Sequence, residues 1–134
     1  MTVVYGQGVE QNVDPTLLQA VEEAAQDLGV TLYVSSTTGG THSPQSAHWV
    51  DPGKGWGHAI DVSRINGHRM AGLTPARGGQ VAMAIMAHIP IHRWRECINP
   101  QFANRFHRTV WPKAMSERLR DHHRDHCHIS IVPL

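Results

Sequence analysis

The chain has 134 residues, of which 40% are hydrophobic and 17% charged, and its formal net charge is +1. That length suits one domain, residues 1–134, around a single core, and that composition argues against a disordered tail. The near-neutral balance gives no reason to expect nucleic acid or an anionic membrane as a partner. No apolar run approaches the ~20 residues of a membrane span. Met1 to Asp14 lack the basic start and apolar stretch of a signal peptide, so the chain is expected to be made in the cytoplasm and to leave it, if at all, by another route. Cys97 and Cys127 allow at most one disulfide and decide neither pairing nor compartment. The unusual count is 11 His, the commonest metal-ligand residue and one that titrates near neutrality.

In chain order, Val3-Val4-Tyr5 reads as a short strand. Asp14-Pro15 is a helix start, an N-cap side chain followed by proline at the first helical position. Leu17, Leu18, Val21, Ala24, Ala25 and Leu28 recur at helical spacing, and Gly29 is a natural stop. Val30 to Ser36 is β-branched and aromatic and reads as a strand. Thr37 to Lys54 is a long Gly/Thr/Ser/Pro loop, a length that in a small domain usually signals function. Trp56 to Ser63 reads as a second strand, with a turn at Asn66-Gly67. Gly78-Gly79 precedes an apolar, largely buried helix, Val81 to Ile89, ended by Pro90. Ile91 to Val110 reads as irregular, with a short helix at Gln101 to Phe106. Pro112 opens a last helix to about His122, and Cys127 to Val132 is a third strand. The sum is an α+β fold: a small antiparallel sheet with helices on one side.

The chemistry concentrates in three places. One is Ser46-Ala47-His48 in the long loop. The second is Gly57-His58-Ala59-Ile60-Asp61-Val62, and the third is His126-Cys127-His128-Ile129-Ser130-Ile131. Side chains alternate along a strand. Ala59, Asp61 and Ser63 therefore share one face, while His58, Ile60 and Val62 take the other. In the last strand His126, His128 and Ser130 oppose Cys127, Ile129 and Ile131. Pairing the two strands sets Asp61 beside both histidines, with His48 reaching in from the loop. Singly, an Asp at a strand end or a lone His is more often a cap or a hydrogen-bonding group than a ligand. Together they form a donor set that zinc takes, with three ligands leaving a corner for water.

The pattern Ser-x-His, then Gly-x-Ala-x-Asp, then a C-terminal strand with a ligand histidine, resembles the LAS group of zinc peptidases. That group includes lysostaphin, the D-Ala-D-Ala carboxypeptidases and the hedgehog fold. The likeness is greatest to the carboxypeptidase branch and to penicillin-insensitive murein endopeptidases, which also carry His-x-His, and it covers about Val30 to Ser63 and His126 to Ile131. It implies a Zn2+ cofactor held by His48, Asp61 and His128, and peptidoglycan stem peptides as substrate. One departure is plain: His48 and Asp61 stand 13 apart, where the family pattern has seven. Six extra residues must loop out, for which Pro52-Gly53 and Gly55 are suited, and His42 is the reserve ligand.

The base is His126 or Asp125. Carboxypeptidase relatives place Glu where Asp125 stands; His-x-His relatives use the first histidine, and alternation puts His126 on the face of His128. A fourth-ligand role for His126 would instead make the metal structural. Ser46, Trp49 and Trp56 are the candidate substrate-binding residues, the two tryptophans either walling a groove or packing the loop. Carboxypeptidase relatives commonly hold the substrate carboxylate with an Arg near the first strand. Ser35 to Thr38 offer none, and Arg64, Arg69 or Arg77 would have to substitute, which leans toward cutting within a cross-link. The carrier is expected to be a phage lysis enzyme or a delivered antibacterial effector acting in the periplasm or on the cell wall, the latter with an immunity protein as partner. Two other readings stand beside this one: a non-catalytic zinc module of the hedgehog kind, and a His-Asn-His nuclease beginning at Asp121 to His126, for which the chain ends too soon.

Overall fold

In the computed structural model, residues 2–6, 9–36, 57–106, 112–114 and 124–133 are described. Strand β1 (Val3–Tyr5) and one helical turn, α1 (Val9–Asn12), lead into α2 (Pro15–Leu28). Helix α2 begins as its residues require: the Asp14 carboxylate accepts from the Thr16 N–H at 2.9 Å, and Pro15 takes the first turn. It stops at Gly29, whose φ of 64° is left-handed. Leu17, Ala20, Val21, Ala24 and Ala25 form its buried face. Next come β2 (Leu32–Ser36), β3 (Ala59–Ile65) and β4 (His68–Arg69). The β3–β4 hairpin turns on Asn66 and Gly67, both at positive φ. Helix α3 (Pro75–Met86) is followed by β5 (Trp94–Ile98), β6 (Ala103–Phe106), β7 (Pro112–Ala114) and β8 (Cys127–Ile131).

The fold is α+β. The strands make one sheet in the order β1-β2-β3-β8-β5-β6-β7, with β4 added to β3. β1 and β2 run parallel, whereas every other pair is antiparallel. Helices α2 and α3 pack on each other, and α3 packs on β8 and β5. The sheet face beneath them carries Ile60, Val62, Cys127, Ile129 and Ile131, all buried in one continuous hydrophobic core. The opposite face of β3 and β8 is left for Asp61 and His128.

A buried ion pair braces this arrangement. Arg93 reaches Asp14 Oδ2 at 3.0 Å and donates to Thr16 Oγ1 at 3.0 Å. It also donates to the Val132 carbonyl just past β8, at 3.2 and 3.0 Å. His58 Nδ1 lies 3.4 Å from the same Asp14 oxygen, on the side of the sheet away from Asp61. Burial pushes the Asp14 carboxyl up, but the Thr16 N–H and the Arg93 guanidinium outweigh it and hold it below its usual value.

Three expected elements differ. Helix α3 starts at Pro75, not Val81, and takes Gly78 and Gly79 inside it, because the 99–102 loop lies against it. A Cβ at Gly78 would meet the Pro100 ring at 2.8 Å, and one at Gly79 would run into the Gln101 side chain. The expected short helix at Gln101–Phe106 is instead a turn and strand β6. Asn99 Oδ1 accepts from the Gln101 and Phe102 N–H groups at 2.9 and 3.1 Å, a side-chain-made turn that sends 103–106 back along β5. The stretch read as irregular thus holds two strands. Pro112 begins not a helix but β7, the edge strand, and proline is tolerated at the first residue of such a strand. The rest of that expected helix and the long 37–54 loop fall outside the described residues.

Candidate metal centre

Strands β3 and β8 pair with Ala59 opposite Ser130 and Asp61 opposite His128. This register follows from burial. Ile60, Val62, Cys127, Ile129 and Ile131 must all enter the core, and a slip by one residue would turn them out. Asp61 and His128 consequently share the other face, each only 8% exposed. Asp61 Oδ1 stands 3.1 Å from His128 Nδ1. His126 Nε2 lies 3.9 Å from the same oxygen, and His126 Nδ1 is 2.6 Å from Asp125 Oδ1. The Asp125 side chain points outward, 72% exposed.

A fourth side chain completes the cluster. Glu96 Oε1 on β5 is 3.4 Å from His128 Nε2 and accepts from the Ser130 hydroxyl at 3.2 Å. Its other oxygen is 3.3 Å from an Arg105 nitrogen. Glu96 is not among the residues expected from sequence, because β5 lies in a stretch that reads as irregular and shows no alternation. His128 therefore sits between two carboxylates. Burial alone would depress its imidazole, but the bonds to Asp61 and Glu96, reinforced by their charges, raise it to about 9. Glu96 is held down to about 2, chiefly by its bond to His128, with burial opposing and the charges of His128, Arg95 and Arg105 assisting. Before any cation arrives, the cluster holds a protonated imidazole between two carboxylates.

Asp61 and His128 form a hydrogen-bonded pair whose spacing is also compatible with two donors of one zinc ion. Two donors each about 2.0–2.1 Å from a tetrahedral ion lie about 3.3 Å apart, close to the 3.1 Å between Asp61 Oδ1 and His128 Nδ1. Among the described residues no group of three or more His, Cys, Asp and Glu is spaced to hold a metal ion. Among the described residues Asp61 and His128 are the pair at such a spacing, and a zinc site there would need a third donor. The sequence reading assigns that role to His48, which with His42, Ser46, Trp49 and Trp56 falls outside the described residues.

The remaining expected residues sort clearly. Asp61, His126 and His128 come together, and Asp125 backs His126 from the rim. Cys127 faces the core, its Sγ 3.2 Å from the Gly78 carbonyl, and burial pushes its thiol well up. Cys97 and Cys127 are free thiols. Arg64 lies over the Tyr33 ring and Arg77 bonds Gln80. Among the described residues, Arg95 and Arg105 stand beside the cluster and with Glu96 and His92 line an open cavity of about 510 Å³. No helix of the described residues is long and apolar enough to cross a membrane. Compared with protein-family models, curated proteins and solved structures, the chain matches none.

Proposed function

We propose that the chain is a zinc-dependent peptidase cleaving peptidoglycan stem peptides or the cross-links between them. The observation that carries this reading is the meeting of Asp61 and His128, 3.1 Å apart on one sheet face with His126 alongside, although the pair stands 67 positions apart in sequence. The peptidoglycan substrate rests on the resemblance of the Ser-x-His, Gly-x-Ala-x-Asp and His-x-His motifs to LAS-type peptidases.

Asp61 and His128 would hold the ion, with His48 as the third ligand. His48 belongs to the segment between Ser36, the register partner of Asp61, and Gly57, four residues before Asp61, so both anchors of that segment adjoin β3. When bound, zinc supplies Lewis acidity toward an amide carbonyl and toward water. His126 is the general base: Asp125 orients its Nδ1 side, and its Nε2 turns toward Asp61. Asp125 then acts through His126, which assigns the two candidate bases separate roles. Ser46, Trp49 and Trp56 would contact the peptide. Delivery into a competitor's periplasm, or release at phage lysis, would bring the enzyme to the wall, and an immunity protein would cover the groove of a delivered effector.

The test is chromatography of peptidoglycan digested by the zinc-loaded protein. New muropeptides are expected with wild type. The His126→Ala variant should retain zinc while losing activity by about 10²-fold or more. Zinc uptake with no new muropeptide would replace this reading with a non-catalytic zinc module.

A further inference from the structure

The pairing of β5 with β8 contains an irregularity at the cluster. Trp94 pairs with Ile131 and Glu96 with Ser130, so two steps along β5 match one along β8, and Arg95 is the extra residue. Trp94 packs against the core. With regular alternation Glu96 would follow it there, opposite Ile129, as a buried carboxylate among apolar side chains. The inserted residue reverses the phase from Arg95 onward. Glu96 turns to the face of His128, and Cys97 takes the place opposite Ile129. Bulges that re-aim a side chain are common beside functional sites.

The side chain so delivered is held from both ends. Ser130 donates to Oε1 at 3.2 Å and Arg105 reaches Oε2 at 3.3 Å, while His128 Nε2 faces Oε1 at 3.4 Å. The two ring nitrogens of His128 therefore face different carboxylates, Nδ1 toward Asp61 and Nε2 toward Glu96. A histidine ligand commonly donates its second N–H to a carboxylate, which sets the tautomer and the ring orientation.

We infer that Glu96 is a positioning residue for His128: by accepting the Nε2–H it keeps Nδ1 directed at Asp61 and at the cation the pair would share. This rests on the zinc reading above. Ser130 and Arg105 extend the same support by fixing the Glu96 carboxylate.

The experiment is zinc competition against a chromogenic chelator, using the full chain as wild type, Glu96→Gln and Glu96→Ala. Alongside it, long-range 15N–1H spectra report the tautomer of His128. Zinc-loaded wild type should show the Nε2–H tautomer. Glu96→Ala should bind zinc about 10- to 100-fold more weakly and lose that single tautomer. Glu96→Gln, whose amide oxygen still accepts the N–H, should fall between them and carries the test if the alanine variant does not fold. Variants that bind zinc like wild type, with the Nε2–H tautomer intact, overturn this inference alone. Wild type that takes up no zinc overturns the zinc reading and this inference with it.

Discussion

Arg93→Met is the most informative perturbation of the scaffold. Arg93 ties the first turn of α2 to the end of β8 through Asp14, Thr16 and the Val132 carbonyl, and it is 4% exposed. Methionine fills much of the stem volume but leaves Asp14 buried without its guanidinium. Removing one partner of a buried pair costs about 3–5 kcal/mol, a large share of the ~5–15 kcal/mol by which domains are stable. With an unfolding entropy of about 2.1 cal/mol/K per residue, each kcal/mol lowers the melting temperature by roughly 3–4 °C in a chain this long. A drop of about 10–18 °C at pH 7 follows. The pH dependence has a definite sign. In wild type the Asp14 carboxyl sits below its ordinary value of 3.8, so its contribution is full above that value and fades as pH falls through the folded one. In the variant burial is no longer outweighed by Arg93, the folded carboxyl rises, and protonation relieves it. The stability gap should therefore narrow toward acid. Thermal unfolding by circular dichroism at pH 7 and at pH 4 measures both. A loss below about 1 kcal/mol at pH 7, or a gap that widens in acid, refutes the reasoning.

In metal-free protein, NMR titration should place His128 near 9, well above its ordinary 6.5. The stability from its bonds to Asp61 and Glu96 should be full below 6.5 and disappear as pH rises through 9; a titration at or below 6.5 would contradict the geometry. Gly78→Ala should destabilise by about 1–3 kcal/mol, because the clash with Pro100 exceeds the gain in helix propensity; chemical denaturation decides it, and a more stable variant would be the contrary result. Cys97, its thiol pushed up to about 12, and Cys127 should both resist thiol reagents in the native protein and react on unfolding. Stoichiometric labelling under native conditions would show that one of them is not buried.

The parts of the fold legible in sequence were those governed by local chemistry. Asp14-Pro15 and Gly29 bound α2 because capping groups and a left-handed residue act within a few positions. Alternation around Asp61 and His128 predicted their shared face because opposite neighbours such as Ile60 and Ile129 have no stable place but the core. The elements misread depend on partners distant in sequence. Ala103–Phe106 is a strand because β5 is there to pair with, and Pro112–Ala114 because β6 is, while Gly78-Gly79 stand before the expected helix and join it where Pro100 and Gln101 press against them. Glu96 reaches the site only through a one-residue bulge, and no periodic pattern in Trp94–Ile98 announces it.

The central claim is met most directly by metal analysis of purified protein after zinc loading and dialysis. Wild type should carry about one zinc per chain, and Asp61→Asn, His128→Ala and His48→Ala should each lose most of it while remaining folded. An Asp61→Asn protein that keeps its full complement of zinc would contradict the account.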